Sequence, residues 1–384
     1  MEEGKQGLKV AIVHDWLTQM GGAEKVLRSI LDLYPDADIF SIVATEDIKK
    51  KLGIEYVAES FICHLPFGRS KYRNYLQLFP LAIEGFDLSK YDIVISCSSS
   101  VAKGVLTHSN QLHICYCHTP ARYVWDLTWQ YLKEKKLTSR WNPLTLYVRR
   151  VLHKFRIWDV ISSNRVGHFV ANSKNVARRI NRVYRRDATV IYPPVYTHLF
   201  VKSTEEKEDF YLTASRMVPY KKIDLIASAF SKMPDKKLVV IGTGPEDGNI
   251  RKVAGKNVEF LGYVPNDKLN EYMQKAKAFV FAADEDFGIV PLEAQACGTP
   301  VIAYGHGGCL ETIKDGETGV LFWKQDEQSI IDAVKTFEAE GANKKYTADA
   351  CREWAETFSN ERFKTEFSNF VKEKWTEFQE GQKL

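Results

Sequence analysis

The chain has 384 residues, of which 45% are hydrophobic and 27% charged, with a formal net charge of +4. That length outgrows one core and favours two domains, and the composition is that of a folded globular protein rather than a disordered or fibrous one. No run of about 18 apolar residues exists, which excludes a helical membrane span, and Met1-Glu2-Glu3-Gly4-Lys5 lacks the apolar core of a secretion signal.

In chain order, apolar runs bounded by turn residues alternate with stretches of helical periodicity, the pattern of βα units on parallel sheets. The first half predicts strands over 8–13, 37–42, 93–96, 113–116, 168–171 and 189–191, with helices over 22–33, 72–84, 125–135, 143–162 and 174–183. Pro193-Pro194 and the polar stretch 202–209 then read as a linker. A second series follows, with strands over 210–213, 237–241, 258–260, 278–281 and 301–303 and helices over 223–232, 246–253, 267–274, 290–297 and 326–338. The tail 343–383 is helical, with Phe363, Phe367, Phe370 and Phe378 at helical spacing, and reads as a helix laying its apolar face on a domain.

Seven cysteines at irregular spacing (Cys63, Cys97, Cys115, Cys117, Cys297, Cys309 and Cys351) argue against a disulfide framework and for a reducing cytoplasm. His113, Cys115, Cys117 and His118 invite a metal reading, but on a strand the two histidines fall on opposite faces and the C-x-x-C spacing is absent. No metal or other cofactor is expected. Asp36-Ala37-Asp38 precedes a strand, on its N-terminal side, and reads as turn residues.

The chemistry is expected at strand ends, where open α/β sheets bind ligands. Glu285 and Glu293 flank Gly288, one at a strand tip and one inside the next helix, with the amides of Phe287, Gly288 and Ile289 and then Val290 between them. Arg216 and Lys221 follow the second half's first strand; a guanidinium fork and an ammonium suit a diphosphate, although a solvated basic turn has the same composition. Gly242 and Gly244, in Gly-Thr-Gly-Pro, allow close backbone approach by a ring or ribose. Gly21-Gly22 open the first helix, as an ordinary turn or as a phosphate cradle. They are not G-x-G-x-x-G, so a nicotinamide cofactor is poorly supported. Glu293 suits ribose hydroxyls and Glu285 those of a second group beyond the diphosphate; a nucleotide sugar fits every part.

On these residues the chain resembles family 4 glycosyltransferases. The shared elements are Glu285 and Glu293, Gly21-Gly22-Ala23-Glu24, Arg216 with Lys221, and Cys297-Gly298-Thr299-Pro300-Val301. The run from Cys115 to Asp126 and the run from Ser215 to Asp224 are similar to those of bacterial O-antigen and exopolysaccharide mannosyltransferases. The resemblance implies the α/β GT-B fold, two Rossmann-like domains facing across a cleft: an acceptor domain over 1–192, a donor domain over 193–359, and a C-terminal helix 360–384 crossing back. It implies retaining transfer of a hexose, mannose from GDP-mannose, to a glycan or polyprenyl-diphosphate-linked acceptor in cell-surface polysaccharide synthesis, without a metal. Arg216 and Lys221 would neutralise the leaving diphosphate, Gly21 and Gly22 would bind it, Glu293 would hold the ribose, and Glu285 with His118 would position the hexose. Where many members have Glu-Lys-Gly, this chain has Tyr220-Lys221-Lys222, so Lys222 has no assigned role.

Between residues 133 and 186 there are fifteen Lys or Arg against Glu134 and Asp159. Over 143–162, Leu144, Val148, Val151, Phe155 and Trp158 fall at helical spacing, with Arg149, Arg150, Lys154 and Arg156 between them. Such a face either packs and exposes charge or attracts anionic lipid, which places the protein in the cytoplasm at the inner membrane face. No aromatic-interleaved RNA motif or zinc module points to nucleic acid. Rival functions are transfer from a UDP-sugar, a nucleotide-sugar epimerase or hydrolase on the same fold, and a non-catalytic partner.

Overall fold

A computed structural model describes residues 7–139, 141–203 and 206–382. The expectation for the first five residues therefore lies outside the described residues, as do Arg140 of the basic stretch, 204–205 of the polar stretch and 383–384 of the tail. The chain divides into two compact units, one formed by 1–192 with 364–384 and the other by 193–363.

The first unit carries β1 (Val10–His14), β2 (Asp38–Ser41), β3 (Ala58–Glu59), β4 (Ile93–Ser98), β5 (Leu112–Cys117), β6 (His168–Ala171) and β7 (Ala188–Val190). All pairings are parallel, in the order β3-β2-β1-β4-β5-β6-β7. The strand order reverses between β1 and β4, the crevice where such sheets take ligands. β1, β4 and β5 are buried along their whole length, as expected for strands covered on both faces.

The second unit carries β8 (Phe210–Ala214), β9 (Lys237–Ile241), β10 (Val258–Gly262), β11 (Ala278–Phe281), β12 (Val301–Tyr304) and β13 (Gly319–Phe322), again all parallel, in the order β10-β9-β8-β11-β12-β13. Its switch point lies between β8 and β11.

Several elements differ from expectation. The stretch 72–84 is not one helix. A 3₁₀ segment Tyr72–Leu78, with non-helical dihedrals at Tyr75, precedes an α-helix Phe79–Glu84 whose first turn holds Pro80. The tail is two helices, Ala348–Glu356 and Asn360–Gly381. Phe367 and Phe370 of the latter pack in the first unit against Tyr116 and His168. β3 and β13 were not expected from sequence. In the helix Pro143–Ser163 the buried positions are Thr145, Leu152, Phe155, Asp159, Ser162 and Ser163, while Leu144, expected inside, is exposed. All seven cysteines are free thiols. Among the described residues no helix is long and apolar enough to cross a membrane.

Candidate active site

In the second unit, the loop after β8 is pinned by Met217, whose buried side chain anchors it and whose N–H donates to Thr243 O at 2.9 Å. It ends in a 3₁₀ turn, Pro219–Lys221, and Lys222 takes a left-handed conformation at the start of the helix Ile223–Ser231. This geometry leaves Arg216 exposed and turns Lys221 inward, where its Nζ meets Glu285 Oε1 at 2.5 Å. Burial disfavours the Lys221 ammonium, but the Glu285 carboxylate and its other neighbours outweigh burial, and the pKa is raised. Nζ also lies 5.7 Å from the Phe281 ring centre.

The loop after β9 approaches the β8 loop so closely that its glycines have a packing reason. A Cβ on Gly242 would sit 1.9 Å from Ser215 O, and one on Gly244 would sit 2.2 Å from Met217 O. Gly242 also has φ +126°. These glycines form a pocket wall with Arg216, Tyr263, Asn266 and Val290, enclosing about 430 Å³. A larger cavity of about 730 Å³ includes Asp36 and Asp38 at the N-terminal end of β2, the end opposite to the one where parallel sheets bind ligands. Asp38 there is engaged by Tyr91 and Lys90.

The acidic loop after β11 turns at Gly288, φ +94°, which caps the helix Ile289–Ala296. Glu293 lies three residues beyond Val290 on that helix and is buried. Phe287 is buried against Phe358, ring centres 5.7 Å apart. The shape of this loop depends on residues that the sequence reading passed over. Gly308 N–H donates to Glu285 O at 2.8 Å. A Cβ on Gly307 would come within 2.3 Å of that same oxygen, and one on Gly308 within 2.2 Å of Phe287 Cα. His306 Nδ1 lies 3.0 Å from Asp284 Oδ1. The available signal was Gly305-His306-Gly307-Gly308 directly after an apolar strand.

The second unit thus brings together Arg216, Gly242, Gly244 and Val290 around one pocket, and joins Lys221 to Glu285. Gly21, Gly22 and His118 belong to the first unit. Gly21 caps the helix Gly22–Leu33 in extended conformation. A Cβ on Gly21 would lie 3.0 Å from Glu24 Oε2, and burial raises the pKa of Glu24 against the opposing influence of His14. His118 follows β5. Burial, helped by His14, pushes its pKa down to about 3, so the ring is neutral at ordinary pH. His113 is bonded to Ser96 Oγ at 2.9 Å and to Arg165 O at 3.3 Å. Among the described residues no group of three His, Cys, Asp or Glu is placed to hold a metal ion.

Residues 20–199 match the family model described as Glycosyltransferase Family 4, and residues 197–354 match that described as Glycosyl transferases group 1. The chain belongs to glycosyltransferase family 4. This family 4 glycosyltransferase is 32% identical, over 158 residues, to the GDP-mannose-dependent alpha-(1-6)-phosphatidylinositol monomannoside mannosyltransferase of Mycolicibacterium smegmatis, a match covering 37% of this chain and 41% of that one. It is 27% identical, over 159 residues, to the sulfoquinovosyl transferase SQD2 of Arabidopsis thaliana, covering 40% of this chain and 31% of the relative. The matched stretch thus spans less than half the length of these relatives. In structure it is similar to HepE of Anabaena in complex with UDP-glucose, with a TM-score of 0.69 at 18% identity over 95% of this chain and 99% of that one. The fold of this glycosyltransferase is GT-B, built from two Rossmann-like units.

Proposed function

We propose that this protein is a retaining hexosyltransferase that moves mannose from GDP-mannose to a glycan or lipid-linked glycan in cell-surface polysaccharide synthesis. The observation that carries this reading is the grouping at the C-terminal tips of β8, β9 and β11. An exposed guanidinium, Arg216, borders an apolar-floored pocket, while the adjacent Lys221 ammonium is held at the strand tips by a carboxylate, Glu285. In this reading the pocket takes the nucleoside, with Tyr263 beside the base and Glu293 toward the ribose. Within the second unit, Arg216, Lys221 and the amides of Phe287–Val290 take the diphosphate and Glu285 the hexose; the roles proposed in the first unit are diphosphate binding for the amides at Gly21-Gly22 and hexose binding for His118.

Transfer breaks the bond from the sugar's anomeric carbon to the phosphate oxygen and forms one to the acceptor oxygen on the same face. The acceptor's proton passes to the departing phosphate oxygen, so no separate base is assigned. Arg216 and Lys221 stabilise the charge that develops on the diphosphate; each such preorganised group is worth about 3–4 kcal/mol in a dry site. With two cations in that role, the reading expects turnover to persist in EDTA.

The donor assignment is supported by the mannosyltransferase relative, whose name specifies GDP-mannose; the UDP-glucose bound to HepE favours a UDP-sugar as the second reading. Membrane contact is supported by the first unit's surface over 133–154. Several of the basic residues beyond it are occupied within the protein: Arg165 by Glu84, Arg179 by Asp126, and Arg186 by the carbonyls of Ser163, Val166 and Gly167. Lys133, Lys135, Lys136, Arg150 and Lys154 remain exposed beside exposed Trp141, Leu144, Leu146 and Tyr147, a composition suited to an anionic interface. The reading puts the protein in the cytoplasm, on the inner membrane face.

A turnover and thermal-shift panel of GDP-, UDP-, ADP- and dTDP-sugars tests the donor. Stabilisation and turnover with GDP-mannose are expected; response to UDP-sugars alone replaces the donor, and free sugar or an epimer as sole product replaces the reaction. Flotation with anionic liposomes at low salt tests the surface, and failure to bind removes it.

A further inference from the structure

At the tips of β1 and β5 the first unit buries two imidazoles that the described residues do not fully satisfy. His14 is 3% exposed and His118 is 9% exposed. Among the described residues, both ring nitrogens of His14 and Nε2 of His118 have no hydrogen-bond partner. The ring centres are 6.5 Å apart and the planes inclined at 53°. The same sheet supplies a control: His113 is equally buried, yet both of its nitrogens meet oxygen atoms. A histidine kept for packing looks like His113. Buried polar atoms left without partners mark places where a local rule is broken for another end.

The surroundings are rigid. Asp15, the residue after His14, accepts hydrogen bonds from Ser99 N–H, Ser99 Oγ, Val101 N–H and Ala102 N–H at 2.6–2.9 Å. These bonds clamp the tip of β1 to the turn after β4. Tyr116 packs edge-on to His118 at 5.2 Å. A neutral imidazole such as that of His118 offers one N–H donor and one acceptor nitrogen. That is the complement of a hydroxyl, and the ring of His14 beside it turns two more nitrogens to a neighbouring hydroxyl on a sugar. A phosphate, which only accepts, would leave the acceptor nitrogen of His118 unmatched.

We propose that His14 contacts substrate and, paired with His118, grips hydroxyl groups of a hexose. This rests on the sugar-transfer reading above and adds a residue to it. The hexose is either the one being transferred or the terminal one of the acceptor, since the chemistry is the same.

The test is His14→Phe, which keeps the ring's bulk and removes both nitrogens, compared with His14→Gln, which keeps one donor and one acceptor. For His14→Phe the expected results are a Tm equal to or above wild type, unchanged calorimetric affinity for GDP and UDP, and a loss of about 100-fold in sugar turnover. His14→Gln regains part of that rate, and stands in if the Phe variant does not fold. Two sugar probes assign the source. If the nucleotide sugar loses its affinity advantage over the nucleoside diphosphate, the transferred hexose is the ligand. If binding of methyl α-mannoside is lost while nucleotide-sugar affinity stays, the acceptor hexose is. Wild-type turnover with both variants within twofold in kcat and KM overturns the role of His14 alone. So does a lower Tm with full activity per folded molecule, the signature of a packing residue. Absence of turnover by wild type with every nucleotide sugar removes both readings.

Discussion

Each unit contains a lysine joined to a carboxylate at 2.5 Å, and the two pairs are built for different ends. In the first unit, Lys103 and Asp159 are 1% and 0% exposed. Asp159 Oδ2 accepts from Trp125 Nε1 at 2.7 Å and Tyr184 OH at 3.0 Å, while Lys103 reaches Ser162 Oγ and lies 5.2 Å from the rings of Trp158 and Tyr184. The pair is closed on every side. In the second unit, Lys221 and Glu285 are 16% and 21% exposed and sit on two loops at strand tips, next to a pocket. A closed pair serves as scaffold, because removing one member strands a charge away from water. A half-open pair can be exchanged for a ligand's charge at modest cost.

The largest expected effect separates the two. Lys103→Met should lower stability by about 3–5 kcal/mol, because Asp159 keeps its burial and loses its cation; denaturant titration measures the loss, and turnover per folded molecule should be unchanged. Lys221→Met should do the reverse. Stability should fall by less than for Lys103→Met, since the Glu285 side chain is 21% exposed where Asp159 is 0% exposed, while kcat falls by roughly 10²–10³-fold, as for Arg216→Ala. If Lys221→Met unfolds the protein as readily as Lys103→Met does, the distinction collapses.

A third expectation uses groups that refuse charge. His113 is held at about 4 and His118 at about 3, chiefly by burial. In the unfolded chain a histidine titrates near 6.5, so the unfolded state binds more protons between the two values. Stability from these rings is complete above pH 6.5 and is lost as pH falls toward 4, on the order of 3 kcal/mol for His113 alone. Acid should therefore melt the first unit ahead of the second. A His113→Asn variant should flatten that acid limb, and an unaltered limb would show that other groups set it. The smallest effect is at the pocket rim: Tyr263 is 79% exposed, and Tyr263→Ala should raise donor KM about 3–10-fold with kcat unchanged, a loss near 1 kcal/mol.

Much of the fold was readable because both sheets are parallel and buried. Their strands are short apolar runs, and 237–241 and 278–281 coincide with β9 and β11. Where local pattern carries little, the reading failed. β13 follows Gly316-Glu317-Thr318, a turn-like sequence, and is four residues long. The helical periodicity of 72–84 gave no sign of the kink at Tyr75. In the site, residue chemistry singled out Arg216, Lys221, Glu285 and Glu293. Accounts that depend on tertiary packing were not visible. Gly242 and Gly244 looked like openings for a ligand, whereas the neighbouring loop alone already demands them. Gly307 and Gly308 matter through a carbonyl twenty-two or more positions earlier in the chain. The unmet nitrogens of His14 exist only once every possible partner has been placed.

The helix Asn360–Gly381 begins among residues of the second unit and continues in the first. Phe367 covers Tyr116, Phe370 covers His168, and Lys364 pairs with Asp32. The earliest part of the chain to be made is thus finished by one of the latest. At roughly 5–20 residues per second, a ribosome needs about ten to thirty seconds to travel from residue 192 to residue 364. Through that interval the β5–β6 face waits uncovered, and the second unit, which ends at residue 363, is complete in sequence before the first. The order of synthesis and the order of completion run in opposite directions.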